Sequence, residues 1–196
     1  MFMKGATVMS VVKASLLKGV AAALVAGLAI AAPIKANASG IDGLSVRVGG
    51  FAPTSSTIRN VQNFVWGGGI DYQVPWVPKV FNGEHWSTSI SADFHYAERK
   101  STGIFRYIPV AINQVYTFEE QNGHTPYAGF SLIAATFGTS GGAAVRQPTV
   151  TRFGFGFILG VNLTESFYIE GRYDIVDSHN TIDSPTGFRF YLGYRF

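Results

Sequence analysis

The sequence predicts an all-β fold: a closed, eight-stranded, antiparallel up-and-down transmembrane β-barrel preceded by a cleavable signal peptide. Three observations predict it. Beyond Leu44, apolar residues recur at every second position in eight successive runs, the period of a strand with two unlike faces. Charged residues are 14% of the chain, against ~25% in average globular proteins. Aromatic residues reach 14%, and 23 of 196 residues are glycine.

The leader comes first. Lys4, Lys13 and Lys18 form a basic start, residues 19–34 carry no charge, and Ala36-Asn37-Ala38 gives a small-x-small cleavage pattern. Residues 1–38 are therefore read as a secretory signal peptide, with Ser39 starting the mature chain and residues 39–196 forming the barrel. The apolar stretch between Lys18 and Lys35 is shorter than the ~20 residues of a membrane-spanning helix. Met1, Met3 and Met9 are equivalent candidate starts. Removing Lys4, Lys13, Lys18 and Lys35 from the 15 Lys+Arg leaves 11, against 12 Asp+Glu. The net charge of +3 thus belongs to the leader, and a nucleic-acid binder's basic domain is excluded. With no cysteine there is no disulfide, thiolate metal site or cysteine nucleophile.

The strands follow in order. Leu44, Val46 and Val48 alternate with Ser45, Arg47 and Gly49. Phe64, Trp66, Ile70, Tyr72 and Val74 alternate with Val65, Gly67, Gly69, Asp71 and Gln73. Trp86, Thr88, Ile90, Ala92, Phe94 and Tyr96 alternate with Ser87, Ser89, Ser91, Asp93 and His95. Ile108, Val110 and Ile112 alternate with Pro109, Ala111 and Asn113, and Tyr116 and Phe118 continue the apolar face. Ala128, Phe130, Leu132 and Ala134 form the fifth run. Phe153, Phe155, Phe157, Leu159 and Val161 alternate with Arg152, Gly154, Gly156, Ile158 and Gly160. Phe167, Ile169, Tyr173 and Ile175 alternate with Tyr168, Glu170, Arg172 and Asp174. The last run sets Phe188, Phe190, Leu192, Tyr194 and Phe196 against Arg189, Tyr191, Gly193 and Arg195.

The apolar face is the one expected to meet lipid. It carries Trp and Tyr near strand ends, as the interfacial girdles of membrane barrels do. Its runs of about 8–12 residues approach the ~9–11 of a tilted membrane strand. In hydrocarbon an open sheet edge leaves costly unpaired backbone groups, so the strands must close. Eight strands leave an interior that side chains just fill, which argues against a free diffusion pore. With a periplasmic amino terminus, connectors 52–63, 97–103, 138–149 and 177–187 face outward. Connectors 75–85, 119–126 and 162–166 face the periplasm, and 75–85 is long for that side.

At this point the chain resembles the small outer-membrane β-barrels of Gram-negative type, the opacity-protein and OmpA-like transmembrane class. The carboxy-terminal run of Phe188, Phe190, Leu192, Tyr194 and Phe196 looks like the signal read by the barrel-assembly machinery. Arg106-Tyr107-Ile108-Pro109-Val110 followed by Pro126-Tyr127-Ala128-Gly129-Phe130 is similar to the family's middle hairpin. The resemblance implies an outer-membrane location and a monomer. It implies as partners the outer-membrane lipid and lipopolysaccharide, with the assembly machinery and periplasmic chaperones during biogenesis. The sequence ends at its last strand, so no peptidoglycan-binding domain is expected.

The inner face supplies the candidate functional residues: Arg47, Asp71, Asp93, His95, Glu170, Arg172, Asp174, Arg189 and Arg195. Ions inside a barrel are costly unless paired, so a plugging charge network is expected, with a gated ion path as the functional alternative. No catalytic, cofactor or metal residues are assigned. Asp177-Ser178-His179 are adjacent, and neighbours in an extended chain point apart, so they cannot form a relay alone. His85 and His124 fall in turns, and the four histidines lack metal spacing. Gly154, Gly156 and Gly160 lack the spacing and helix of a nucleotide loop and are read as making room for lumen side chains. The Asn162-Leu163-Thr164 sequon carries no weight in a bacterial envelope. A structural or surface-interaction role is expected. A solute channel or binding barrel is the alternative, and a lipid A-modifying enzyme stands behind it.

Overall fold

Alternation with apolar residues on one face forces a sheet whose two sides meet different surroundings, and closure follows when no edge is left unpaired. The computed structural model describes residues 43–75, 83–99, 103–140, 147–178 and 183–196. The expected signal peptide and Ser39 lie outside the described residues. The elements are β1 (Leu44–Pro53), α1 (Ser56–Val61), β2 (Val65–Gln73), β3 (Trp86–Arg99), β4 (Gly103–Thr117), β5 (Thr125–Ser140), β6 (Gln147–Asn162), β7 (Phe167–Val176) and β8 (Gly187–Arg195). Each strand pairs antiparallel with the next, and β1 pairs with β8, closing the barrel. The Phe196 N–H donates to the Leu44 carbonyl at 3.0 Å, so both chain ends of the barrel lie at one end, the termini end.

The register keeps one parity outward all round. Leu192 stands opposite Val48, Phe157 opposite Phe130, and Ile112 opposite Leu132. The outward side chains are exposed although apolar: Phe153 is 76% exposed, Trp66 70%, Leu159 68% and Leu132 66%. Among the described residues, Glu98 and Arg106 are the charged side chains on the outward parity of the strands, and they sit together at the far end of β3 and β4. Near them, Thr136 and Thr151 share a 2.8 Å hydroxyl hydrogen bond. The stretch of β4 from Arg106 to Tyr116, at ~3.3 Å per residue and a tilt of ~40°, rises about 25 Å, the height of a transmembrane barrel's apolar band.

Two features differ from the sequence reading. The four strands β3 to β6 run 14, 15, 16 and 16 residues, so they take up much of the expected connectors 97–103 and 138–149. The period-two signal fades there because the outward positions turn polar or small, as at Glu98 and Gly138. The connector 52–63, read as a loop, contains α1, whose Ile58 and Val61 are one turn apart and both buried.

Candidate functional site

The inward parity builds a lumen in storeys. At the far end Phe51, Val65, Phe105, Tyr107, Ile133, Phe137 and Val176 form one buried apolar cluster, and α1 lowers Ile58 and Val61 onto it. Phe51 stacks on Phe105 at 6.1 Å and meets Tyr107 at 4.6 Å between ring centroids. Thr54 and Thr186 join the first and last far-end connectors through two bonds to the Thr186 carbonyl, at 2.8 and 2.9 Å. The sequence reading expected charge, Gly and Ser on this face and did not anticipate an apolar plug. Its signal was present as Phe105, Tyr107, Ile133 and Phe137 on the inward parity.

Below the plug lies the charge network. Arg47 holds Asp93 with Nε at 2.7 Å and Nη2 at 2.9 Å, and reaches Glu170 at 3.1 Å. Arg189 bonds Asp93 at 2.5 Å and Asp174 at 2.7 Å. Arg172 bonds Glu170 at 2.6 Å, and lies 3.5 Å from Asp71. Arg172 and Arg189 stand directly opposite each other in register, an arrangement that repels unless each is neutralised. Their side chains diverge to different carboxylates. Tyr107 donates to Asp174 at 2.5 Å and Tyr127 to Glu170 at 3.1 Å, so hydroxyls fill remaining acceptor positions.

Glycines make this packing possible. Gly193, Arg47, Gly69 and Asp93 are successive opposite positions on β8, β1, β2 and β3. A Cβ at Gly69 would run into the Asp93 carboxylate. One row further, Gly49 and Gly67 separate Tyr191 from His95, and the Tyr191 hydroxyl meets His95 Nε2 at 3.0 Å across them. The space at Gly160 is filled by the Tyr127 ring and that at Gly193 by the Tyr168 ring.

Of the nine expected lumen residues, Arg47, Asp71, Asp93, Glu170, Arg172, Asp174 and Arg189 come together in one network. His95 is fully buried but joins through Tyr191 rather than a carboxylate. Arg195 stands apart at the termini end, with its guanidinium 5.1 Å from the centre of the Tyr168 ring. There a cavity of about 450 Å³ opens, reaching Ser45, Asp71, Ser89, Tyr127, Glu170 and Arg195. His85 and His124 lie in termini-end turns, and His179 is outside the described residues. The assembly-signal run lies on the outward face of β8, with Phe188, Phe190, Leu192 and Phe196 exposed.

The crystal structure of Neisserial surface protein A superposes on this barrel with a TM-score of 0.57 at 17% identity, covering 79% of this chain and 96% of that one. The fold is that of a small outer-membrane barrel. The crystal structure of the outer membrane enzyme PagL matches with a TM-score of 0.54 at 14% identity, covering 76% of this chain and 97% of that one. No protein-family model and no curated protein matches the sequence.

Proposed function

We propose that this chain is an outer-membrane β-barrel with a closed lumen, acting structurally or through its surface loops rather than as an enzyme. The observation that carries the reading is the outward apolar belt. It encircles a closed barrel, is about 25 Å tall on β4, and ends at Arg106 and Glu98 on one side and at Trp86 and Tyr116 on the other. So large an exposed apolar surface is untenable in water and suits hydrocarbon. The termini end faces the periplasm in this reading, and the far end, with its extended strands and α1, faces outward. The barrel works as a monomer among outer-leaflet lipid and lipopolysaccharide, delivered by periplasmic chaperones and the barrel-assembly machinery through the run ending at Phe196.

Support for a closed lumen comes from the apolar plug and the charge network stacked along the axis. Support for a non-enzymatic role comes from His95, which is buried in the lumen and engaged by Tyr191. A relay needs a base within hydrogen-bond reach of a nucleophile accessible to substrate.

The test is access from lipid. Fluorescent probes at 155 and 157, on the outward parity, are quenched by a lipid-phase quencher, and probes at 154 and 172 are not. A reversed pattern, or a protein that stays folded and monomeric in plain buffer, overturns the reading. Planar-bilayer recordings without discrete openings accompany it, and stable unitary currents would favour the channel instead. Lipid A of unchanged mass on expression is expected, and a new acylation state would favour the enzyme.

A further inference from the structure

We propose that the cavity at the termini end is a binding site for a small zwitterion, held between the carboxylate of Asp71 and the guanidinium of Arg195. The proposal goes beyond the membrane role and rests on the barrel interior alone. Asp71, Ser45 and Arg195 stand directly opposite one another on β2, β1 and β8, all on the inward parity. Neighbouring strands are ~4.8 Å apart, so the two charged residues rise from backbones about 10 Å apart. Only the small Ser45 stands between them in register.

These opposite charges do not pair with each other. Among the described residues Arg195 makes no ion pair and rests over the Tyr168 ring. Asp71 has the longest ion pairs of the network, 3.6 Å to Arg47 and 3.5 Å to Arg172. The network holds four carboxylates, Asp71, Asp93, Glu170 and Asp174, against the three guanidiniums of Arg47, Arg172 and Arg189. Asp93 and Asp174 are fully buried in short pairs, whereas the Asp71 side chain keeps 17% exposure. The surplus negative charge therefore falls at Asp71, which lines the cavity.

The cavity thus offers the most loosely paired carboxylate of the network, which also accepts from Asn113 at 3.1 Å, and a guanidinium without an ion pair among the described residues. A lone anion near Arg195 meets Asp71, Glu84 and Glu170 in the same lining, and a lone cation at Asp71 meets Arg47, Arg172 and Arg195. A molecule with both charges, of amino-acid size, satisfies both walls at once. Ser45, Ser89, Tyr127 and Tyr168 line the space; Tyr127 donates to Glu170 and Tyr168 to Ser45, which leaves their hydroxyl oxygens as acceptors. A volume of about 450 Å³ holds such a molecule with waters, and lies within the range of small-ligand pockets.

The test uses the protein isolated in detergent micelles and labelled with nitrogen-15. L-alanine, ethylammonium and propionate are titrated separately at constant ionic strength while the amide signals of Ser45, Asp71 and Arg195 are followed. Alanine is expected to saturate, with half-saturation at least tenfold below that of either single ion. Arg195→Gln, at the mouth and outside the network, is expected to weaken alanine at least tenfold. Ser45→Leu, which keeps both charges and fills the gap between them, is expected to abolish saturation. Heat-modifiable migration in electrophoresis shows that each variant is folded. Equal half-saturation for the three probes, no saturation by alanine, or undiminished alanine binding in folded Arg195→Gln overturns the proposal.

Discussion

Arg47 and Asp93 meet through two parallel bonds, Nε to Oδ1 at 2.7 Å and Nη2 to Oδ2 at 2.9 Å, although 46 residues separate them in the chain. Neither side chain has any exposure. Such a two-point pair fixes orientation as well as distance. It ties β1 to β3 across the glycine of β2, while Arg47 also reaches Glu170 on β7. One side chain thus braces the sheet on both sides of the β1–β8 closure.

Replacing Arg47 with methionine should therefore destabilise the barrel by about 3–5 kcal/mol, because Asp93 and Glu170 lose a buried counterion. The urea midpoint of unfolding in bilayers, read by electrophoretic mobility, measures it. Asp93 and Asp174 then share Arg189, and adding Asp93→Asn removes one of the carboxylates in excess. The double variant should regain part of the loss. A double variant less stable than Arg47→Met alone would mean that the pair is not the source of the cost.

The glycines give a second, sterically defined expectation. At Gly69 a Cβ would collide with the Asp93 carboxylate and the Ala92 carbonyl, so Gly69→Ala should cost about 1–3 kcal/mol. At Gly171, on the outward face, the nearest atoms to a Cβ are 3.9 Å away. Gly171→Ala should change stability by no more than about 0.5 kcal/mol. Equal effects at the two positions would remove space-making as the reason for the inward glycines.

How far the sequence reaches can be argued from particular residues. The β8 run was legible because Phe188, Phe190, Leu192, Tyr194 and Phe196 keep one face apolar while Arg189 and Arg195 mark the other. The same contrast put Asp93, Glu170 and Arg172 on the inner face. Alternation names a face but not a height along the axis or a partner. That Arg189 turns to Asp174 while Arg172 turns to Glu170 depends on register between strands, which no single strand carries. The plug was illegible because Phe105 and Phe137 follow apolar or small neighbours on the opposite face, and the period vanishes. α1 is too short to show a helical period. The cavity arises from what surrounds Ser45 on two other strands.

The carboxy-terminal residue gives an expectation about assembly rather than stability. Phe196 is half-exposed on the outward face, with its ring 5.2 Å from that of Tyr194. It contributes no lumen contact, so its loss leaves the charge network untouched. Replacing Phe196 with serine, which keeps the backbone bond to the Leu44 carbonyl, should reduce the outer-membrane yield at native expression while leaving unfolding of the purified barrel nearly unchanged. An unchanged yield, or a loss of stability that accounts for the lower yield, would count against a role as a sorting signal.

The last expectation separates the two faces by the origin of their costs. Phe157 lies near the middle of the outward belt, where an arginine should cost about 2–4 kcal/mol. Phe167, near the termini end of β7, lies close to the interface, where the same change should cost about 0–1 kcal/mol. The cost at 157 arises from placing a charge in hydrocarbon, and the side chain relieves it by reaching towards the headgroups. In a thinner bilayer that reach is shorter, so the penalty of Phe157→Arg should shrink. Arg172→Met also destabilises, but by leaving Glu170 and Asp71 to share Arg47 as their remaining guanidinium inside the lumen, where no lipid enters. Its penalty should not depend on bilayer thickness. Unfolding midpoints in vesicles of short-chain and long-chain lipids measure both variants against the parent in each. If the Arg172→Met penalty varies with thickness as strongly as that of Phe157→Arg, residue 172 is not shielded in a lumen, and the inside-outside assignment of β7 fails. If neither penalty varies and Phe157→Arg costs no more than Phe167→Arg, the belt does not face hydrocarbon.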